Sequence, residues 1–201
     1  MNIYDMIKKF KDFILNESGI SDNELPGLIS IDDFLFEIGI RENLIPPISE
    51  WWNENRKGIS IHYFEFGSQD PIIGVYIGEN KVCINKKSRD LPDFKLFVAI
   101  HESFHCDQDM RGVMEKEFNL VKYGNVTEFS NYYRQIEKEA NDFAITSIRD
   151  LGFSGFIDSS EKRLRGNELA GTHVFSMMRR DIEKTGAENS KDLLLSQILG
   201  L

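Results

Sequence analysis

The first 57 residues carry apolar side chains at the spacing of helices. A stripe of apolar positions three or four residues apart predicts an amphipathic helix that ends near Ser18: Ile3, Ile7, Phe10, Phe13 and Ile14. Two shorter helices are predicted at 32–37 and from Ser49 to Gly58, where the glycine ends the second one. The pair Pro46-Pro47 is expected to separate them.

The following segment changes to a period of two. Every second residue of 59–63 is apolar, which predicts a strand that extends to Phe66. Two β-rich runs, 72–77 and 81–85, flank Gly78-Glu79-Asn80, which has the length and composition of a hairpin loop. We therefore expect at least three antiparallel strands.

A long segment without helix breakers follows the strands. Residues 94–110 are predicted as one helix, and Asp90 or Asp93 can cap its start. Its first half, 96–100, is apolar on every side. A helix with apolar residues on every side must be covered by other elements on every side. We therefore expect it to lie at the centre of the fold.

Most of the remaining chain is predicted to be helical, apart from a charged connection after Gly112. A long helix is expected at 128–150, and two more at 167–184 and 191–199. These elements predict an α+β fold in which a small antiparallel or mixed sheet packs against the central helix. We expect a single domain with three parts: a helical region at 1–57, a core at 58–153 and a helical region at 154–201.

Composition and charge argue against several classes of protein. With 33 acidic and 24 basic residues the net charge is −9, and the basic residues are scattered, which argues against direct nucleic-acid binding. No apolar stretch reaches membrane-spanning length, and the start of the chain lacks the pattern of a secretory leader. Cys83 and Cys106 form no pairing motif, which is typical of a reducing compartment. We expect a cytoplasmic protein without a membrane or nucleic-acid partner.

One short motif points to metal chemistry. His101-Glu102-Ser103-Phe104-His105 has the H-E-x-x-H pattern and lies on the predicted central helix. Four residues turn a helix by about 400°, so His101 and His105 share a face and can give two nitrogens to one ion. Glu102 lies about 60° from His105, where it can hold a water on the metal. The alternative is a chance match in a metal-free protein.

A third ligand is needed, because catalytic zinc usually takes three protein ligands and one water. On the helix at 128–150, Glu137 shares a mostly apolar face with Tyr133, Ala140, Asn141, Ala144 and Ile148. A carboxylate on such a face is costly to bury unless a cation satisfies it. We therefore place Glu137 first as the ligand and Glu139, on the polar face, second.

Asn141 lies one helical turn beyond Glu137. Its amide could accept a hydrogen bond from the second ring nitrogen of a ligand histidine, as such partners do in metal sites. The alternative interpretation is an ordinary surface amide.

The motif in its context resembles the ImmA/IrrE-type metallopeptidases, a gluzincin-like family with H-E-x-x-H zinc sites. The resemblance covers about 72–150 and rests on the hairpin, on HESFH and on IEKEANDFA at 136–144. It implies a compact zincin-like fold, zinc as the cofactor, and Glu137 as the third ligand. For many members it also implies cleavage of helix-turn-helix repressors. Members commonly carry Leu-Gly where this chain has Ser103-Phe104.

Several side chains could stabilise a developing oxyanion. His62 lies in the predicted strand at 59–66, and His173 and Tyr132 or Tyr133 lie on predicted helices. For each of them plain packing is the alternative.

The sequence supports one main functional hypothesis and one rival. The main hypothesis is zinc-dependent hydrolysis of a peptide bond in a protein or peptide substrate, with Glu102 as the general base. The rival is a zinc-containing regulatory protein that binds a partner without cleaving it.

Overall fold

The computed structural model describes residues 26–65, 73–88 and 90–188. The predicted helix ending near Ser18 and the predicted helix at 191–199 lie outside the described residues. The same holds for Phe66, the expected end of the first strand.

The described chain has an α+β fold, as predicted. Its four strands are β1 (Leu28–Ile29), β2 (Ser60–Phe64), β3 (Gly74–Tyr76) and β4 (Lys81–Asn85). Its seven α-helices are α1 (Ile31–Ile38), α2 (Ile45–Asn55), α3 (Pro92–Asp109), α4 (Val113–Tyr123), α5 (Val126–Asp150), α6 (Ser154–Leu164) and α7 (Gly171–Thr185). Two 3₁₀ turns occur at Glu42–Leu44 and Gly166–Leu169. None of the described helices combines the length and the apolar content needed to cross a bilayer.

The strands form one mixed sheet in the order β1-β2-β4-β3. β3 and β4 form the predicted antiparallel hairpin, whose turn places Glu79 and Asn80 at positive φ. The sheet is mixed, which was one of the two predicted alternatives, but the three predicted strands are not all antiparallel, because β2 pairs with β4 in parallel. In this order the hairpin places β4 between β2 and β3. As a result, β3 becomes an edge strand.

The start of α2 differs from the prediction. Pro46 and Pro47 lie in its first turn and do not separate it from the preceding helix. Proline is tolerated there because the first N–H groups of a helix have no partner within the helix.

The start of α3 is also a correction. Neither Asp90 nor Asp93 caps the helix; Leu91 is the N-cap residue and makes no side-chain capping bond. Asp90 instead accepts hydrogen bonds from Ser88 at 2.6 Å and from Arg163 at 2.6 Å.

Two helices in the second half of the chain were not predicted as separate elements, although the second lies in the region 154–201 that was expected to be helical. The charged connection after Gly112 is α4, which buries Phe118 and Val121. Residues 154–164 form α6, which buries Ile157 and Leu164. The predicted helix at 167–184 begins later, at Gly171, because a 3₁₀ turn precedes it. Each of these segments has only a few inward-facing apolar residues among many charged ones. The repeat of apolar positions that indicates a helix is therefore weak in the sequence.

The helix α3 lies between the sheet and α5, as its apolar circumference predicted. Leu96, Ala99 and Ile100 are fully buried, and they share one core cluster with Val82 and Ile84 of β4. On its other side α3 meets α5, whose Ala144 and Ile148 belong to the same cluster. This sandwich fixes the distance between the motif helix and the helix that carries Glu137.

Candidate metal centre

The two histidines of the motif point to one place beside α3. Their Nε2 atoms lie 3.2 Å apart, and their ring planes are inclined at 81°. Because the one-turn spacing places both side chains on one face of α3, their meeting follows from the sequence.

Glu137 of α5 completes the group. Its Oε2 lies 3.3 Å from His101 Nε2, and its Oε1 lies 3.9 Å from His105 Nε2. Glu137 and His101 are only 6% and 5% exposed, so both polar groups are withdrawn from solvent. The three side chains offer ligand atoms within 4.8 Å of one another and could hold a metal ion.

His101 and Glu137 shift each other's pKa in opposite directions. Burial disfavours the charged form of Glu137, but the hydrogen bond and charge of His101 outweigh it and hold the pKa of the carboxyl below its ordinary value. Burial likewise disfavours the charged form of His101, but Glu137 raises the pKa of the imidazole overall. The two side chains therefore stabilise each other as an ion pair when no cation is bound.

Gln108 fixes the orientation of His105. Its Oε1 lies 2.7 Å from His105 Nδ1, and its Nε2 donates to the carbonyl of Ile136 at 2.9 Å. Since the carbonyl only accepts, Gln108 must present its oxygen to the ring, and His105 Nδ1 must carry the proton. The lone pair of Nε2 then faces the ligand group. Sequence reasoning missed Gln108, although its place three residues after His105 was a signal.

Asn141 lies beside the other histidine. Its Oδ1 and the Nδ1 of His101 are both buried without a hydrogen-bond partner in the described structure. After burial and Glu137, Asn141 also contributes to the pKa of His101, so the two side chains are neighbours. The hydrogen bond expected between them stays a prediction.

Glu102 approaches the group from the sheet side. Its Oε2 accepts a hydrogen bond from the backbone N–H of Tyr76 at 2.9 Å and lies 4.0 Å from His105 Nε2. Gly74 makes this approach possible, because a Cβ there would lie 2.9 Å from Ile84 Cδ1 and closer still to Val98. Sequence reasoning did not single out Gly74, which looked like an ordinary strand glycine.

Of the oxyanion candidates, only Tyr133 is brought to the group. Its phenol lies near Glu137, and burial together with the charges of Glu137, Glu117 and Glu102 raises its pKa well above the ordinary value. Tyr133 is therefore a neutral donor at neutral pH. Tyr132 instead carries Lys116 over its ring at 4.2 Å.

The two other histidines lie elsewhere. His62 is in register with Cys83, whose side chain belongs to a cluster separate from the core that α3 shares with Val82 and Ile84. Because strand side chains alternate between faces, His62 points away from α3. It approaches the Pro26 carbonyl at 3.2 Å. His173 is exposed on α7.

Glu139, the second choice for the third ligand, does not join the group. Its carboxylate pairs with Arg111 at 3.0 Å and lies 3.4 Å from Gln108 Nε2. It lies two residues after Glu137, about 200° around the helix axis, on the polar side of α5, as its polar neighbours predicted.

The structure adds two residues that the sequence did not suggest. Asn167, in the 3₁₀ turn Gly166–Leu169, hydrogen-bonds Glu137. Glu117 of α4 has a strongly raised pKa because of burial and of the charge of Glu137. Both lie at least 20 positions from Glu137 in the chain, so no local spacing could reveal them.

Similarity to other proteins adds no constraint on this site. Comparisons of the chain with protein-family models, with curated proteins and with solved structures gave no match. The likeness to ImmA/IrrE-type metallopeptidases therefore rests on the motif residues, and function must be argued from the geometry.

Proposed function

We propose that this chain is a zinc-dependent peptidase with a zincin-like fold, similar to the ImmA/IrrE-type metallopeptidases. The observation that carries the proposal is the convergence of His101, His105 and Glu137 on one point from two helices. Two neutral imidazoles and one carboxylate are a typical ligand set of catalytic zinc.

The spacing of the ligand atoms supports zinc. Ligands about 2.0–2.1 Å from a tetrahedral ion lie about 3.3–3.4 Å from one another. The separations of 3.2 Å between the two Nε2 atoms and 3.3 Å between His101 and Glu137 are close to this value. The third separation, 3.9 Å between His105 and Glu137, needs only a small rotation of the carboxylate.

The position of Glu102 supports a catalytic site over a structural one. Structural zinc is usually enclosed by four protein ligands, whereas three ligands leave a position for water. Glu102 lies next to this group, with Oε2 4.0 Å from His105 Nε2, and the Tyr76 N–H holds the same oxygen in place.

In the proposed reaction, zinc when bound supplies a Lewis acid that polarises the peptide carbonyl and lowers the pKa of water. Glu102 takes the proton from the attacking water and later passes it to the leaving amine. Tyr133, a neutral donor beside Glu137, is the candidate to stabilise the oxyanion. The substrate we propose is a protein or peptide segment, with a helix-turn-helix repressor as the candidate that the resemblance suggests.

Metal analysis combined with a proteolysis assay tests this proposal. We expect Glu102→Gln to lower turnover by about 10²- to 10⁴-fold with zinc content unchanged, because only the proton transfer is lost. His105→Ala should lose the zinc. His173→Ala is the matched control, because that histidine is exposed and outside the ligand group, and it should keep both zinc and activity. Equal zinc content in all four proteins would contradict the ligand assignment.

A non-cleaving regulatory protein is the second candidate. The low exposure of His101 and Glu137 favours it, because a withdrawn site can hold a metal without admitting a peptide backbone. Incubation with candidate substrates separates the two, since a regulator that only binds gives a stable complex and no fragments.

A further inference from the structure

A side chain from the C-terminal part of the chain reaches the proposed metal ligands. Asn167, in the 3₁₀ turn Gly166–Leu169, donates from Nδ2 to Oε2 of Glu137. Its Oδ1 accepts from Nδ2 of Asn141 at 2.9 Å. The amide of Asn167 thus contacts the proposed ligand Glu137 and also Asn141, which lies beside the proposed ligand His101.

The direction of these bonds is set by Glu137. An ionised carboxylate only accepts hydrogen bonds, so Asn167 must turn its NH₂ group toward Glu137 and its oxygen toward Asn141. Asn141 must then offer its NH₂ group to Asn167. Its own oxygen is left facing the region of His101, whose Nδ1 is buried without another partner in the described structure.

The same direction is favoured by a second acid. Oε1 of Glu168 also accepts from Asn141 Nδ2, at 3.1 Å. Because the NH₂ group of Asn141 donates to both oxygens, a flipped amide would place two acceptors against its own oxygen. The orientation of Asn141 is therefore determined twice, from Asn167 and from Glu168.

Arg165 holds this turn against α5. It pairs with Glu168 at 3.0 Å within the turn region and with Asp142 of α5 at 2.7 Å. Asp142 follows Asn141 directly, so these two ion pairs of Arg165 lie beside the amides of Asn141 and Asn167.

From this geometry we infer that Asn167 is a positioning residue for the metal centre. It links Glu137 to Asn141, and a hydrogen bond from His101 Nδ1 to the Asn141 oxygen would close a ring of these four residues. In this ring 3.3 Å separates His101 Nε2 from Glu137 Oε2. The ring directs the proton of His101 to Nδ1 and leaves the Nε2 lone pair for the metal. This inference rests on the proposed metal site, but it assigns a role to a segment that the motif does not include.

The affinity for zinc measures this role. Partners that orient metal ligands typically contribute about 10- to 100-fold to metal affinity. We expect Asn167→Ala to weaken zinc binding by about that factor, measured by competition with a chromophoric chelator. Asn119→Ala is the matched control, because Asn119 is exposed on α4 and bonds only to Glu115 in the described structure. It should bind zinc like the wild type.

A spectroscopic measurement separates positioning from general stability. Co²⁺ replaces zinc and reports the coordination geometry in its visible absorption. We expect the Co²⁺-loaded Asn167→Ala protein to show an altered band shape, while circular dichroism of the metal-free protein matches the wild type. An unchanged spectrum together with unchanged zinc affinity would overturn the inference.

A double-mutant cycle tests the ring itself. If Asn167 acts through Asn141, the variant with both residues changed to alanine should lose little more zinc affinity than Asn141→Ala alone. Losses that simply multiply would contradict the ring. If the wild-type protein bound no zinc at all, the proposed function would fail before this inference. Normal zinc affinity together with an unchanged Co²⁺ spectrum in Asn167→Ala would remove the inference alone.

Discussion

His105 presents Nε2 to the ligand group because Gln108 occupies its other ring nitrogen. Gln108 is fully buried and bonds to His105, to the carbonyl of Ile136 and, at 3.4 Å, to Glu139. A buried amide in this arrangement determines the tautomer of the ring beside it.

Gln108→Met tests this at the scale of one residue. Methionine keeps the length of the side chain but leaves the buried Nδ1 of His105 without a partner, which costs about 1–3 kcal/mol. The Ile136 carbonyl loses only a second bond, because it lies inside α5 and keeps its helical donor. We expect lower stability in urea and zinc binding weaker by about 10-fold. Gln135→Met, at an exposed position of α5, is the control and should change neither.

The ion pair of His101 and Glu137 makes the stability of the metal-free protein depend on pH. His101 has a raised pKa, so its contribution is complete below its ordinary pKa of 6.5 and is lost as the pH rises through the raised value. Glu137 has a lowered pKa, so its contribution is present above 4.5 and is lost as the pH falls through the lowered value. The pair therefore stabilises the fold most between pH 4.5 and 6.5.

We expect Glu137→Gln to reduce the free energy of unfolding more at about pH 5.5 than at about pH 8.5, in the presence of a chelator. Urea unfolding of both proteins at the two pH values measures this. A loss that is equal at both values, or larger at the alkaline one, would show that the two groups do not form this pair.

At the scale of elements, β3 and α3 lie so close that Gly74 has no room for a side chain. A Cβ there would approach both Ile84 and Val98, and Glu102 Cγ at 3.2 Å. The contact keeps the N–H of Tyr76 in reach of the Glu102 carboxylate.

Gly74→Ala is expected to move β3 away from α3. Overpacking of this kind typically costs about 1–3 kcal/mol, and the loss of the Tyr76 bond should also reduce turnover. Gly155→Ala is the control, because a Cβ at Gly155 of α6 meets no atom within 4 Å. Thermal unfolding should show a lower midpoint for the first variant and an unchanged or higher one for the second.

The elements differ in how far the sequence predicts them. α3, α5 and the β3–β4 hairpin follow from strong local patterns, and so does the meeting of His101 with His105. α4 and α6 were missed because charged residues outnumber their inward positions, such as Phe118 and Ile157. The parallel pairing of β2 with β4 has no local signal, since alternation indicates a strand but not its neighbour.

At the scale of the whole molecule, the proposed site is assembled from segments far apart in the chain. β3 contributes the N–H that holds Glu102, α5 contributes Glu137, and the turn before α7 contributes Asn167. The apolar face of α5 made the position of Glu137 beside the two histidines predictable. Asn167 was beyond prediction because its contact joins positions 30 residues apart through tertiary packing alone.

The most direct test of the metal centre is an anomalous difference map at the zinc absorption edge, from crystals grown with zinc. We expect one strong peak about 2.0–2.1 Å from the Nε2 atoms of His101 and His105, and about 2.0–2.2 Å from a carboxylate oxygen of Glu137. A zinc peak elsewhere, or none between these three side chains, would contradict the account.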